Sequence, residues 1–236
     1  MSRLTRHDIV KEDKFVETFE KCRDFFLARQ RQILMIAGIA VLVALIAGGI
    51  YFYLDYSRAT AREDLARALT IFEAPVGNVP AGDGGPSFKS SREKNEKALA
   101  EFQKVLNQGE SSTTGKISKY YIGLCLKELN RDTEAVAMLE PLTQEKSDYG
   151  ALALQVLAGM YEKNGNLAKA VEALQLIISY DQPAAPKSAS LMHLAQIFEQ
   201  QNKNSEAIKT YQQLIKEYPE SSLVQKAEER LKLISK

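Results

Sequence analysis

The chain has 236 residues, of which 26% are charged and 45% apolar, and its formal net charge is +1. This composition fits one or two folded domains and excludes a wholly disordered chain, while the near-zero charge supplies no basic field for nucleic acid. Two cysteines, two histidines and no tryptophan leave almost no material for a metal site or a histidine-based catalytic set, so no metal, cofactor or small-molecule substrate is expected.

Residues 1–32 form a short charged segment. Phe15, Phe19, Cys22 and Phe26 fall at i, i+4, i+7 and i+11 with Val16 beside them, while Lys14, Lys21, Arg23 and Asp24 lie off that face. An amphipathic helix lying in the inner-leaflet interface is the favoured reading, and a loosely helical cytosolic tail is the alternative. Ile33 to Leu54 follows as 22 residues without a charge. As a helix this run covers about 33 Å, the thickness of a bilayer core, with Tyr51 and Tyr53 at its interfacial end. Ala59–Thr60–Ala61 resembles a signal-peptide cleavage site. The apolar run is too long for a signal core, however, and 32 residues precede it, so an uncleaved transmembrane helix is expected over 33–54.

Eight cations precede the span (Arg3, Arg6, Lys11, Lys14, Lys21, Arg23, Arg29, Arg31), and only Arg58, Arg62 and Arg67 follow closely. The positive-inside rule then leaves the N-terminus in the cytoplasm and carries the rest across the membrane. This describes a single-pass protein of a bacterial inner membrane with a periplasmic domain. Within the span Ala40, Ala44 and Gly48 recur every four residues, a spacing that lets helices approach closely and that also arises by chance in Ala/Gly-rich spans.

Residues 55–236 read as helices throughout. "DYSRATAREDLARALTIFEA" carries a stripe of Leu65, Leu69 and Phe72. A Pro/Gly loop at 75–91 follows, too rich in breakers for a regular element. "REKNEKALAEFQKVLNQ" is helical again, with Leu99, Phe102, Val105 and Leu106 on one side. Three helix pairs come next: "ISKYYIGLCLKELN" with "DTEAVAMLEPLTQ", "ALALQVLAGMYEKN" with "NLAKAVEALQLIISY", and "SASLMHLAQIFEQQ" with "NSEAIKTYQQLIKEY". "SSLVQKAEERLKLIS" is a C-terminal capping helix.

Each first helix holds a small residue, Gly123, Ala158 or Ala195, and twelve residues on each second helix holds Ala135, Ala170 or Ala207. Small side chains at these places allow two helices to pack closely. Leu126, Tyr161 and Phe198, with Leu139, Leu174 and Tyr211, fill the space around them. Pro219 ends the last second helix and Pro183 nearly does so for the pair before. Cys125 lies within an apolar helical pattern and is expected to be a buried, structural thiol.

This pattern resembles the tetratricopeptide repeat, whose period is about 34 residues. The first repeat, Ser57 to Asn107, is degenerate, and Leu154 and Leu191 stand where a tryptophan often occurs. The resemblance implies an all-α fold, a solenoid of helical hairpins behind one N-terminal transmembrane helix.

Such a solenoid lines a concave groove with its first helices. The register places Tyr120, Leu124, Lys127, Gln155, Gly159, Glu162, Met192, Gln196 and Glu199 on it as candidate partner-binding residues, some of them simply solvated. The set lacks the Lys/Asn/Arg clamp with which some tetratricopeptide proteins hold a C-terminal carboxylate. The whole layout, with "KEDKFVETFEKCRDFFLARQRQILMIAGIAVLV" before and within the span and "AREDLARAL" after it, is similar to the ancillary subunit of the bacterial Sec translocon. That resemblance implies association with translocon subunits and with periplasmic chaperones. Rival readings are an anchored scaffold for outer-membrane assembly or cell division, and an organelle anchor of a eukaryote with cytosol-facing repeats. An enzyme is not expected: Asp132, Glu134 and Glu140 are the only suggestive carboxylates, and solvated helix ends explain them.

Overall fold

A computed structural model describes residues 6–77, 85–181 and 183–235; up to residue 33 it describes only the side chains of Arg23 and Arg29–Gln32. The elements are α1 (Arg6–Glu73), α2 (Ser91–Gln108), α3 (Thr113–Glu128), α4 (Asp132–Leu139), a 3-10 helix (Glu140–Gln144), α5 (Asp148–Lys163), α6 (Leu167–Ser179), α7 (Lys187–Gln200), α8 (Asn204–Glu217) and α9 (Val224–Ile234). Among the described residues no strand occurs, only one isolated bridge between Val76 and Phe88.

Two compact units divide the chain, Met1–Arg58 and Ala59–Lys236. The first is α1 up to Arg58. Its apolar side chains from Leu34 to Leu54, Ile36, Val41 and Leu45 among them, are exposed within the chain, and this one helix is long and apolar enough to cross a membrane. Ala40, Ala44 and Gly48 are exposed as well, and a Cβ built on Gly48 meets nothing within 4 Å. The side chains of Phe15, Val16, Phe19, Cys22 and Phe26 lie outside the described residues.

The second unit is an all-α stack of hairpins. The last turns of α1 pair with α2, α3 with α4 and the 3-10 helix, α5 with α6, and α7 with α8; α9 closes the series against α8. Its core is mostly apolar: Leu65, Ala68 and Phe102 at the start, Ala158, Leu174 and Ile177 in the middle, Ala195, Tyr211 and Leu214 at the end, with Asn95, Ser118 and Ser190 buried alongside.

The three regular hairpins turn in one way. Asn130, Gly165 and Asn202 have φ of 58°, 75° and 57°, the left-handed region that glycine and asparagine tolerate best. At each turn the next amide donates to the carbonyl five residues back (Arg131 to Leu126, Asn166 to Tyr161, Lys203 to Phe198), at 2.9, 2.8 and 2.9 Å. Each left-handed residue donates three back, to Lys127, Glu162 and Glu199. These are Schellman caps, which satisfy helix-end carbonyls and reverse the chain within two residues.

Two details depart from the sequence reading. "DTEAVAMLEPLTQ" is not one helix, because α4 stops at Leu139 and the chain tightens to a 3-10 helix at Glu140–Gln144. Pro141 has no amide to continue the α-ladder and its ring crowds the preceding turn. The group facing Gly123 is not Ala135 but Leu139: a Cβ on Gly123 would stand 2.5 Å from Leu139 Cγ and Cδ2. At this hairpin close approach therefore sets a small residue under a large one, with Ala135 buried in the same cluster as Leu139.

Candidate functional site

The first helices α3, α5 and α7 carry the nine groove candidates. Tyr120, Leu124, Lys127, Gln155, Gly159, Glu162, Gln196 and Glu199 are half-buried, and Gly159 faces open space. Met192 is not available. It is 4% exposed and packs with Leu191, Ala195 and Tyr211, together with Leu223, Val224 and Leu231 at the C-terminal end. The sequence reading missed this because the −3 position of a first helix faces the next first helix in the stack, and for α7 that neighbour is α9.

Two of the polar candidates, Glu162 and Glu199, are engaged across the joints between hairpins, while Lys127 pairs with its neighbour Glu128 at 3.2 Å. At the joint of α5 with α7, His193 Nε2 lies 2.5 Å from Glu162 Oε2, and Gln200 Nε2 donates to Glu162 Oε1 at 2.5 Å. An ionised carboxylate only accepts, so His193 donates from Nε2. Burial raises the Glu162 carboxyl, but the hydrogen bonds from His193 and Gln200 outweigh it and hold the group below the usual carboxylate value. At the joint of α7 with α9, Arg230 grips Glu199 through Nε and Nη2, and the Tyr211 hydroxyl donates to Glu199 Oε1 at 2.5 Å. Glu199 is likewise pushed up by burial and pulled further down by Arg230 and Tyr211. The Tyr211 hydroxyl is raised by burial and by that same carboxylate.

The joint of α3 with α5 is aromatic. Tyr120 and Tyr149 rings stand 5.7 Å apart, while Tyr121 stacks on Phe102 of α2 at 5.1 Å. The carboxylates considered as catalytic candidates also take part in ties. Asp132 pairs with Lys163 at 3.1 Å, Glu140 accepts from the Tyr161 hydroxyl at 2.7 Å, and Glu134 pairs with Arg131 at 2.6 Å. Two of these three ties reach from α4 or the 3-10 helix to α5, so these solvated helix-end carboxylates also link neighbouring hairpins. Cys125 is fully buried, and burial pushes its thiol up to about 12, which makes it unreactive at neutral pH.

What stays open for a partner is narrower than the nine-residue set. It comprises Tyr120 and Leu124 on α3, Gln155 and Gly159 on α5, and a polar cleft of about 570 Å³ at the last joint, lined by Gln196, Glu199, Gln200, Lys226 and Arg230. Among the described residues no cluster of three or more His, Cys, Asp or Glu side chains is placed to hold a metal.

Comparison with known proteins agrees with this architecture. Residues 189–221, which span α7 and α8, match the tetratricopeptide repeat. The structure is similar to the nearly identical TPR-like repeats of a Podosopora anserina protein described as a putative kinesin light chain, and to a point-substituted form of the same repeats. In both comparisons the TM-score is 0.53 at 15% identity, over 75% of this chain and 85% of the other. No curated protein matches the chain in sequence. The fold is thus a tetratricopeptide-type α-solenoid, an architecture whose extended surfaces serve as protein-binding scaffolds.

Proposed function

We propose that this protein is a membrane-anchored, non-catalytic scaffold. The helix over 33–54 spans a bacterial inner membrane, and the hairpin stack stands in the periplasm, where it binds proteins. The observation that carries this reading is the uncharged stretch from Ile33 to Leu54, with eight cations before it and three soon after, joined to a tetratricopeptide-type solenoid. Its similarity to the ancillary subunit of the Sec translocon favours translocon subunits and periplasmic chaperones as partners. On the solenoid the contact surface centres on Tyr120 and Leu124, since aromatic and large apolar groups concentrate binding energy when desolvated.

Crosslinking in intact membranes, followed by mass spectrometry of the captured proteins, tests the partner assignment. Translocon subunits and periplasmic chaperones are expected. Capture of outer-membrane assembly or division proteins instead would replace that assignment. Protease added outside spheroplasts should cleave a tag placed after Lys236; cleavage only in inverted vesicles overturns the orientation. Tyr120→Ala should reduce crosslinking with helicity unchanged. Retained yield there, with loss for Ala44→Leu, would move the contact to Ala40, Ala44 and Gly48 in the anchor.

A further inference from the structure

α9 repeats the docking face of α7. Both helices begin at equivalent places 37 residues apart, so Ser190, His193, Leu194 and Ile197 of α7 correspond to Ala227, Arg230, Leu231 and Ile234 of α9. In α7 Leu194 and Ile197 pack onto the preceding hairpin and His193 meets Glu162. In α9 Ala227, Leu231 and Ile234 pack onto α7–α8, and Arg230 meets Glu199. The opposite face differs. Where α7 has Leu191, Ala195 and Phe198 for its own second helix, α9 has Glu228, Lys232 and Ser235. α9 is therefore a helix seated in a receptor face, with a polar outer side.

That seat is loosely held. α7 buries six residues, including Leu191, Met192 and Ala195, whereas α9 buries only Ala227. Leu223, Val224, Leu231 and Ile234 are half-exposed, and Leu233 is 62% exposed. Elements with little buried surface open before the rest of a domain. Residues 218–223, which contain Pro219, join α8 to α9 outside any helix.

We propose that the α7–α8 face now covered by α9 is a helix-binding surface, and that the α9 of a second copy of this chain can occupy it by exchange. The charge complementarity is specific. Glu199 is largely buried, with its side chain 12% exposed, and the Tyr211 hydroxyl already donates to it, so an incoming helix must bring an arginine one residue before its leucine. α9 itself shows the fit, side chain by side chain. Exchange of a terminal element between copies preserves every one of these contacts and needs no new surface.

The test uses full-length protein in detergent and a fluorescein-labelled peptide of residues 221–236, read by anisotropy. The peptide should bind an Arg230→Ala host about tenfold or more tightly than the unaltered protein, because the host's own α9 has lost its grip on Glu199. A peptide carrying the Arg→Ala change should lose that gain, and in a host with Glu199→Gln the two peptides should bind alike. Hydrogen exchange on the unaltered protein should show α9 amides opening before those of α7 and α8. At raised concentration the unaltered protein should form dimers that excess peptide dissolves. The idea is overturned by no saturable binding to the Arg230→Ala host, by equal binding of both peptides to it, by exchange of α9 together with α8, or by dimers that the peptide leaves intact.

Discussion

The second and third joints of the solenoid use one device with two different partners. Glu162 and Glu199 lie 37 residues apart at equivalent places on α5 and α7, and each meets a side chain 31 residues further on. For Glu162 that side chain is His193; for Glu199 it is Arg230. Arginine carries its charge at every working pH and forks onto both carboxylate oxygens, which fixes geometry as well as energy. Histidine offers one donor and is charged only when protonated. The third joint holds a helix with a small apolar footprint and relies on its ion pair. The second holds a hairpin with a full core, since Leu194 and Ile197 pack into the preceding cluster, and its polar contact is an addition. The difference teaches that these two joints keep the place where a tie is made while α3, with Lys127 there, does not, and that the stronger tie stands at the joint with less apolar burial.

Among the ties at the joints, the largest expected effect comes from removing the carboxylate of the third joint. Glu199→Ala strands the Arg230 fork and the Tyr211 hydroxyl and should lower stability by about 2 kcal/mol. Glu162→Ala removes a carboxylate that is 27% exposed, against 12% for Glu199, and should cost about 1 kcal/mol. Urea midpoints at neutral pH measure both, and an equal or reversed order would break the comparison.

Acid should erase the difference. Both carboxyls sit below their ordinary value of 4.5 in the folded chain. The stability they supply is therefore full above that value and is lost as pH falls through their lower folded values. The unfolding free energies of the unaltered protein and of Glu162→Gln/Glu199→Gln should be well apart at pH 7 and should converge in the acid range below 4.5. Curves that stay parallel would show that the ties contribute no charge-dependent stability.

A smaller change of opposite sign sharpens the contrast within α5. Gly159 lies one turn before Glu162, has no positive φ, and a Cβ there meets nothing within 4 Å. Gly159→Ala should stabilise by about 0.5–1 kcal/mol through helix propensity alone. On Gly123, beneath Leu139, a side chain larger than alanine should destabilise by about 1–3 kcal/mol. Melting temperatures of Gly159→Ala and Gly123→Leu check both, and shifts of the same sign would contradict the close contact at Gly123. The smallest effect belongs to an ion pair away from any joint. Arg92 and Glu96, both exposed on α2, should change stability by less than about 0.5 kcal/mol on Arg92→Ala. A loss as large as that of Glu199→Ala would mean that position in the stack does not matter.

Sequence by itself determined most of the helices and their pairing. Periodicity of apolar residues sets a helix's buried face whatever it packs on, and small residues recurring at 35 and 37 residues mark a repeated hairpin. Asn130, Gly165 and Asn202 lie between the paired helices and take the positive φ that few other residues accept. The charge of each side of the 33–54 segment was equally open to reading, since it needs only counting. Tertiary structure alone decided which groove positions stay exposed and which are covered by the next helix. Met192 and Tyr120 occupy the same place in the repeat, yet one is sealed under α9 and the other shares its ring face with Tyr149. Nothing local distinguishes them, because burial at a joint depends on a residue some thirty positions further on. The same separation hid the pairing of Glu199 with Arg230: each reads as a solvated charge on its own helix, and only the stacking of α9 onto α7–α8 brings them within hydrogen-bonding distance.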